Sequence, residues 1–174
     1  MSRRFVDAQL FPVAVVRDGR RPGCLAFSCL MIGHHPRTQS AERRQVAALP
    51  WRRSADGIEI LLVTSRETRR WVTPKGGRMP GLTDAQAAAQ EALEEAGVEG
   101  VIGETPLGTF RYLKVLKRRA PRWCVVAVHA LEVRVEHAIW HEQAERERVW
   151  VSREEAVRRV DEPDLKALIA AFEG

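Results

Sequence analysis

Three cysteines in 174 residues, Cys24, Cys29 and Cys124, are too few for a disulfide framework and suit a reducing compartment. Long apolar runs are missing too. The longest, roughly Cys24 to Gly33, contains Ser28 and falls well short of a bilayer-spanning length. The N-terminus lacks the charged start, apolar stretch and small-residue cleavage site of a secretory signal. Internal repeats and low-complexity tracts are absent. These absences lead us to expect a cytoplasmic protein that does not enter a membrane, working as a monomer or homodimer. What is present, 45% apolar and 29% charged residues, excludes disorder throughout and supports one core.

The net charge of +5 is unevenly spread. Residues 1–53 hold ten arginines and three acids, a balance of +7, whereas the remainder carries −2. We therefore divide the chain into a basic extension, residues 1–44, and a domain over residues 45–174. The extension reads as a solvated segment, with contact to nucleic acid or an acidic surface the less favoured alternative. Within it Leu10–Val16 is a candidate strand, and Met31 stands shortly before regular patterning begins, which makes it a candidate start. Cys24, Cys29, His34 and His35 do not have the spacing of a zinc knuckle.

From Gln45 the patterning is regular. Val46–Trp51 and Ile58–Thr64 predict two strands joined by a turn at Ser54–Gly57, where Asp56–Gly57 is a hairpin signal. Ser65–Arg70 reads as a turn and Trp71–Thr73 as a short strand. Pro74, Gly76, Gly77, Pro80 and Gly81 then mark a loop. Thr83–Ala96 predicts a helix, opened by the capping-box pair Thr83 and Gln86 and closed by Gly97. Leu107–Leu116 and Trp123–Val135 predict strands around a basic turn, Lys117–Arg122. Ser152 with Glu155, and Pro163, mark later helix starts, and the last helix is expected to reach Ala171. This alternation indicates an α/β fold with a mixed sheet.

Chemistry enters on the helix. At 100° per residue, placing Glu91 at zero puts Glu94 near 300° and Glu95 near 40°, so three carboxylates share a face. Ala85, Ala89, Ala92, Leu93 and Ala96 are expected to pack on the sheet from the opposite side. No Lys or Arg lies three or four residues from any of the three on this helix, and each like-charge pair costs about 0.2–0.5 kcal/mol. Glu94 and Glu95 also occupy the last turn, where the helix dipole disfavours anions by about 0.3–1 kcal/mol each. Carboxylates so placed call for a cation, and oxygen-only ligands suit Mg²⁺ or Mn²⁺ better than zinc. Upstream, Pro74-Lys75-Gly76-Gly77 lets a phosphate approach backbone closely, with Lys75 as a point charge.

At these residues the sequence resembles the Nudix hydrolase superfamily, whose box is G-x5-E-x7-R-E-U-x-E-E-x-G-U with U aliphatic. Gly76 opens it, and Glu91-Ala92-Leu93-Glu94-Glu95-Ala96-Gly97-Val98 closes it. Leu82 stands where the box has its first glutamate and Gln90 where it has arginine. With flanking strands the resemblance covers roughly residues 45–172. The run Arg70–Gly76, with Ala88-Ala89-Gln90-Glu91, looks like bacterial relatives of diphosphoinositol polyphosphate and diadenosine polyphosphate phosphohydrolases.

The resemblance implies an α/β/α sandwich with a mixed central sheet and a Mg²⁺-dependent (or Mn²⁺-dependent) pyrophosphohydrolase acting on a small-molecule polyphosphate. Glu91, Glu94 and Glu95 are the implied catalytic residues and, with Gly76, the implied metal site. The general base is Glu91 or one of Glu142, Glu145 and Glu147. Substrate contacts are expected from Arg66, Arg70, Lys75, Gly77, Arg78, Arg111, Lys114, Arg118 and Arg119. The segment 111–122 carries six bases and no acid, which reads either as a trough for a polyphosphate chain or as a solvated hairpin tip. Removal of pyrophosphate from RNA 5′ ends, and an inactive nucleotide sensor (motivated by Leu82 and Gln90), are the alternatives. His129 reads as a packed histidine. Trp71, Trp123, Trp140 and Trp150 read as core or sheet-packing residues.

Overall fold

A computed structural model describes residues 42–116 and 119–174, the backbone alone at Leu116 and Arg119. The candidate strand Leu10–Val16, Met31 and the Cys24, Cys29, His34, His35 group lie outside the described residues, as does Arg118.

Two long strands, β1 (Arg43–Ser54) and β7 (Arg119–Glu136), pair in parallel from Arg43↔Cys124 to Trp51↔Glu132. β1 is buried continuously from Gln45 to Trp51, the pattern of a strand covered on both faces. Its other edge is shared by two partners. β2 (Gly57–Thr64) pairs with its C-terminal half and β4 (Lys75–Gly77) with its N-terminal half, both antiparallel. The chain turns within the expected Ser54–Gly57 segment, at Ala55–Asp56, and Gly57, at φ 121°, opens β2 opposite Ser54. β3 (Trp71–Val72) and β8 (Arg148–Ser152) flank β2, while β5 (Val98–Ile102) and β6 (Gly108–Leu116) pair with β7. All these further pairings are antiparallel, so the eight strands form one mixed sheet. β4 lies within the stretch expected to be loop, and β5 and β8 are additions. Glycines hide the first, the second is interrupted by Glu99 and Gly100, and the third is a five-residue segment with Arg148 and Ser152 at its ends.

Helix α1 (Asp84–Ala96) covers one face of the sheet. Thr83 and Gln86 form the reciprocal capping box, and Gly97 at φ 64° takes the left-handed C-cap. The packing face differs from expectation: Ala85, Ala87, Ala88, Ala92 and Ala96 are buried, Ala89 and Leu93 only partly, and Glu95 lies inside. The acidic stripe thus borders the packed face instead of opposing it, because Glu95 finds buried partners. On the second face, α2 (Arg153–Arg159) starts at Ser152, whose side chain accepts from Glu155 N–H, and α3 (Pro163–Ala170) starts at Pro163. Val46, Ala48, Leu61 and Val63 point toward α1, and Ala47, Leu49, Ile60 and Leu62 toward α2 and α3. This is an α/β/α sandwich.

His129 is packed as expected, its Nδ1 2.9 Å from the Gly103 carbonyl oxygen. Trp71 and Trp150 pack against the two cores, while Trp123 stands 49% exposed. Gly97→Ala is expected to cost about 1–2 kcal/mol from the left-handed backbone alone. A Cβ there would also come within 2.6 Å of Trp140 Cβ, so the urea midpoint should fall by at least that equivalent.

Candidate active site

Strand alternation at β4 sends successive residues to opposite faces. Gly76 lies opposite Val46, on the α1 side, and Lys75 opposite Ala47, on the α3 side. A cavity of about 890 Å³ runs past both.

On the α1 side, a Cβ on Gly76 would lie 1.8 Å from Glu91 Oε1, so only glycine lets this carboxylate rest on the strand. Glu91 makes no hydrogen bond or ion pair among the described residues. Burial first, then the neighbouring charges of Glu95, Glu94 and Glu142, push its carboxyl up to about 7. Glu94 lines the same cavity and its Oε1 accepts from Gln90 Nε2 at 2.6 Å. Gln90, at the box's arginine position, therefore holds the second carboxylate by a neutral bond.

Glu95 departs from the expectation that all three carboxylates await a divalent cation, because a side chain from elsewhere in the fold pairs with it. It is buried, accepts the Lys75 backbone N–H at 3.0 Å, and pairs with Arg146. Arg146, itself buried, also donates to Glu142 at 2.5 Å and to the Thr64 carbonyl at 2.9 Å. Burial raises the Glu95 carboxyl pKa against the opposing pull of Arg146 and Lys75. Arg146 lies 51 residues beyond Glu95, out of reach of any same-helix spacing rule. Among the described residues Glu91 and Glu94 have no such partner. Among Glu142, Glu145 and Glu147, only Glu142 lines the cavity, held beside α1 by its backbone N–H on the Glu94 carbonyl at 3.1 Å.

The donor set is carboxylate oxygen throughout, the chemistry of a hard divalent ion. Among the described residues no group of three or more His, Cys, Asp or Glu side chains is arranged to hold a metal ion. Mg²⁺ needs none, since it keeps several waters and takes one or two carboxylates. Glu91 and Glu94, side by side on α1 and in no ion pair among the described residues, fit that demand.

On the α3 side, Lys75 is the sequestered cation. It makes no ion pair among the described residues, lies 5.4 Å from the Tyr112 ring centre, and burial lowers its pKa. Tyr112, whose hydroxyl donates to Gln45 Oε1 at 2.6 Å, forms part of the same wall and was not singled out from sequence. Gly77 and Lys114 line the cavity as well. The arginines are less available. Arg66 pairs with Glu142 at 3.2 Å and Glu145 at 3.5 Å, and Arg70 with Asp161 at 3.0 Å and Glu162 at 3.3 Å. Arg111 pairs with Glu42, and its guanidinium lies 5.4 Å from the Trp123 ring centre. Arg78 lies outside this cavity lining, paired with Asp84. The Arg119 side chain lies outside the described residues.

Comparison with known proteins agrees with this architecture. The family model described as NUDIX domain matches residues 41–172. Nudix hydrolase 13, mitochondrial, of Arabidopsis thaliana is 37% identical over 105 residues, covering 58% of this chain and 52% of its own. Diphosphoinositol polyphosphate phosphohydrolase 3-beta of Bos taurus is 30% identical over 118 residues, covering 67% and 68%. This chain spans about half the length of the first of these. Among solved structures, a C. elegans Ap4A hydrolase complex superposes with a TM-score of 0.55 at 24% identity, over 74% of this chain and 93% of that one, a likeness of fold. A glycine that admits a glutamate, a capped helix bearing three carboxylates and a family match across the whole sandwich have one reading: this chain belongs to the Nudix family.

Proposed function

We propose that the protein is a Mg²⁺-dependent (or Mn²⁺-dependent) pyrophosphohydrolase that cleaves a phosphoanhydride in a nucleoside or inositol diphosphate-linked substrate. Its preferred substrates are diadenosine polyphosphates or diphosphoinositol polyphosphates. The observation that carries this is the unpaired Glu91 carboxylate seated on Gly76, beside Glu94 and at the mouth of a cavity holding Lys75. The mammalian relative is named for diphosphoinositol polyphosphates and the nematode structure for Ap4A. The working compartment we propose is the cytoplasm, although the plant relative is named mitochondrial. None of the described helices is long and apolar enough to cross a membrane.

A bound divalent ion would neutralise charge on phosphoryl oxygens and lower the pKa of a water held there. Glu91 and Glu94 would hold it, with Glu95 fixed behind them by Arg146. Glu91 or Glu142 would accept the proton of the attacking water. Lys75 would hold a phosphate on the other side of β4, the attraction between the charges growing where solvent is excluded. Gly77, beside Gly76 on the cavity wall, carries no side chain to obstruct a phosphate chain passing along β4.

The test is a phosphate- and nucleotide-release screen with chelator-treated full-length protein. Turnover of a dinucleoside or diphosphoinositol polyphosphate should appear only when Mg²⁺ or Mn²⁺ is restored. Binding across the panel with no turnover under either metal would contradict the hydrolase and favour the sensor.

A further inference from the structure

A second cavity, of about 480 Å³, lies on the other side of Glu94 from the first. The two share that residue, and the adjoining segment divides between them, with His141 in the second and Glu142 in the first. The wall is fixed. Trp140 packs over Gly97, and Arg148 lies 4.1 Å from its ring centre while donating to the Ala96 carbonyl at 2.6 Å and the His137 carbonyl at 2.9 Å.

The lining is apolar with a polar edge: Leu93, Ile139 and Trp140, then Gln90, and His137 paired with Glu99 at 2.6 Å. Ile139 is 84% exposed, so a flat ligand laid against it removes apolar surface from water. The indole Nε1 of Trp140 is buried with no acceptor among the described residues. Among the described residues no lysine or arginine lines this space, and Glu99, away from the proposed metal-holding pair, would repel phosphate groups. Gln90 bears on this directly. It stands where the family box has arginine, and a cation there would face the cavity from α1. A phosphorylated inositol ring is therefore a poor occupant, and a neutral planar heterocycle with polar edges a good one. A volume of this size is ample for a nucleoside.

We propose that this cavity is a second nucleoside subsite, taking the far nucleoside of a dinucleoside polyphosphate whose phosphate chain crosses Glu94. The inference rests on the proposed hydrolase reading and narrows its substrate class to dinucleoside polyphosphates.

The experiment is calorimetric titration of full-length protein, with Mg²⁺, against methylene-bridged analogues that resist hydrolysis. Diadenosine tetraphosphate and adenosine tetraphosphate frameworks are compared, since they differ by one nucleoside. The wild type should bind the two-nucleoside compound at least about tenfold tighter, in line with one base stacked on protein. Ile139→Ser, at an exposed position, and Leu93→Trp, which fills the cavity from α1, should each reduce that advantage at least threefold. Binding of the single-nucleoside compound should stay unchanged. An advantage absent from the wild type, or kept by both variants, overturns the subsite. Hydrolysis of the unbridged compounds is followed in parallel. Failure of the wild type to turn over any substrate contradicts the hydrolase, whereas turnover without a second-nucleoside advantage contradicts the subsite alone.

Discussion

Glu91→Gln is expected to raise the stability of the chelator-treated protein while sharply lowering turnover with Mg²⁺. The carboxyl is pushed up to about 7 in the fold from an ordinary 4.5, by burial first and then by Glu95, Glu94 and Glu142. A raised carboxylate pKa means that the charged form is disfavoured by folding. The penalty is absent below the unfolded value, grows as pH rises from 4.5 toward 7, and is complete above that. Glutamine removes it. After discounting for solvent at a half-buried site, the gain near pH 8 is about 1–2 kcal/mol, and it should vanish near pH 4. Turnover with Mg²⁺ should fall on the order of 10³-fold, because the variant loses a full negative charge where a cation is needed. Thermal unfolding at the two pH values, with a product assay, reads both. A variant less stable than wild type near pH 8 would show that the charge is compensated by a group outside the described residues.

Arg146→Met is expected to do the opposite to the fold. Its guanidinium is buried and shared by Glu95 and Glu142, with the Thr64 carbonyl as a third acceptor. Removing one partner of a buried pair leaves an uncompensated charge, at a cost of about 3–5 kcal/mol. Glu95 bears most of this, since Glu142 keeps Arg66. Arg146→Met combined with Glu95→Gln should therefore recover most of the loss, because an amide oxygen can still accept the Lys75 N–H. Urea unfolding of the single and double variants measures this. A single variant within about 1 kcal/mol of wild type would remove Arg146 from its proposed structural role.

The two variants mark where sequence reading succeeds. The α1 boundaries were legible because they are local: Thr83, Gln86 and Gly97 act within a few residues of the termini they cap. The Asp56–Gly57 hairpin was legible for the same reason. The closeness of Gly76 to Glu91 was suggested only by the family resemblance, since the contact spans 15 residues and depends on β4, which glycines conceal. Arg146 was illegible: an arginine in a segment rich in Glu and Arg looks solvated until the fold buries it. The side chains of Arg66, Arg70 and Arg78 stay exposed, and their carboxylate partners were equally out of view because most lie far along the chain. Charge counting along a chain shows that a cation is needed and leaves open which side chain supplies it.

The central claim is that Glu91 and Glu94 supply the negative charge that holds a divalent ion against a polyphosphate. Electron paramagnetic resonance of Mn²⁺ titrated into chelator-treated full-length protein, with a methylene-bridged polyphosphate present, tests it most directly. The wild type should bind the ion, and the combined Glu91→Gln, Glu94→Gln variant should bind it on the order of 100-fold more weakly. Equal Mn²⁺ affinity in the two proteins would contradict the account.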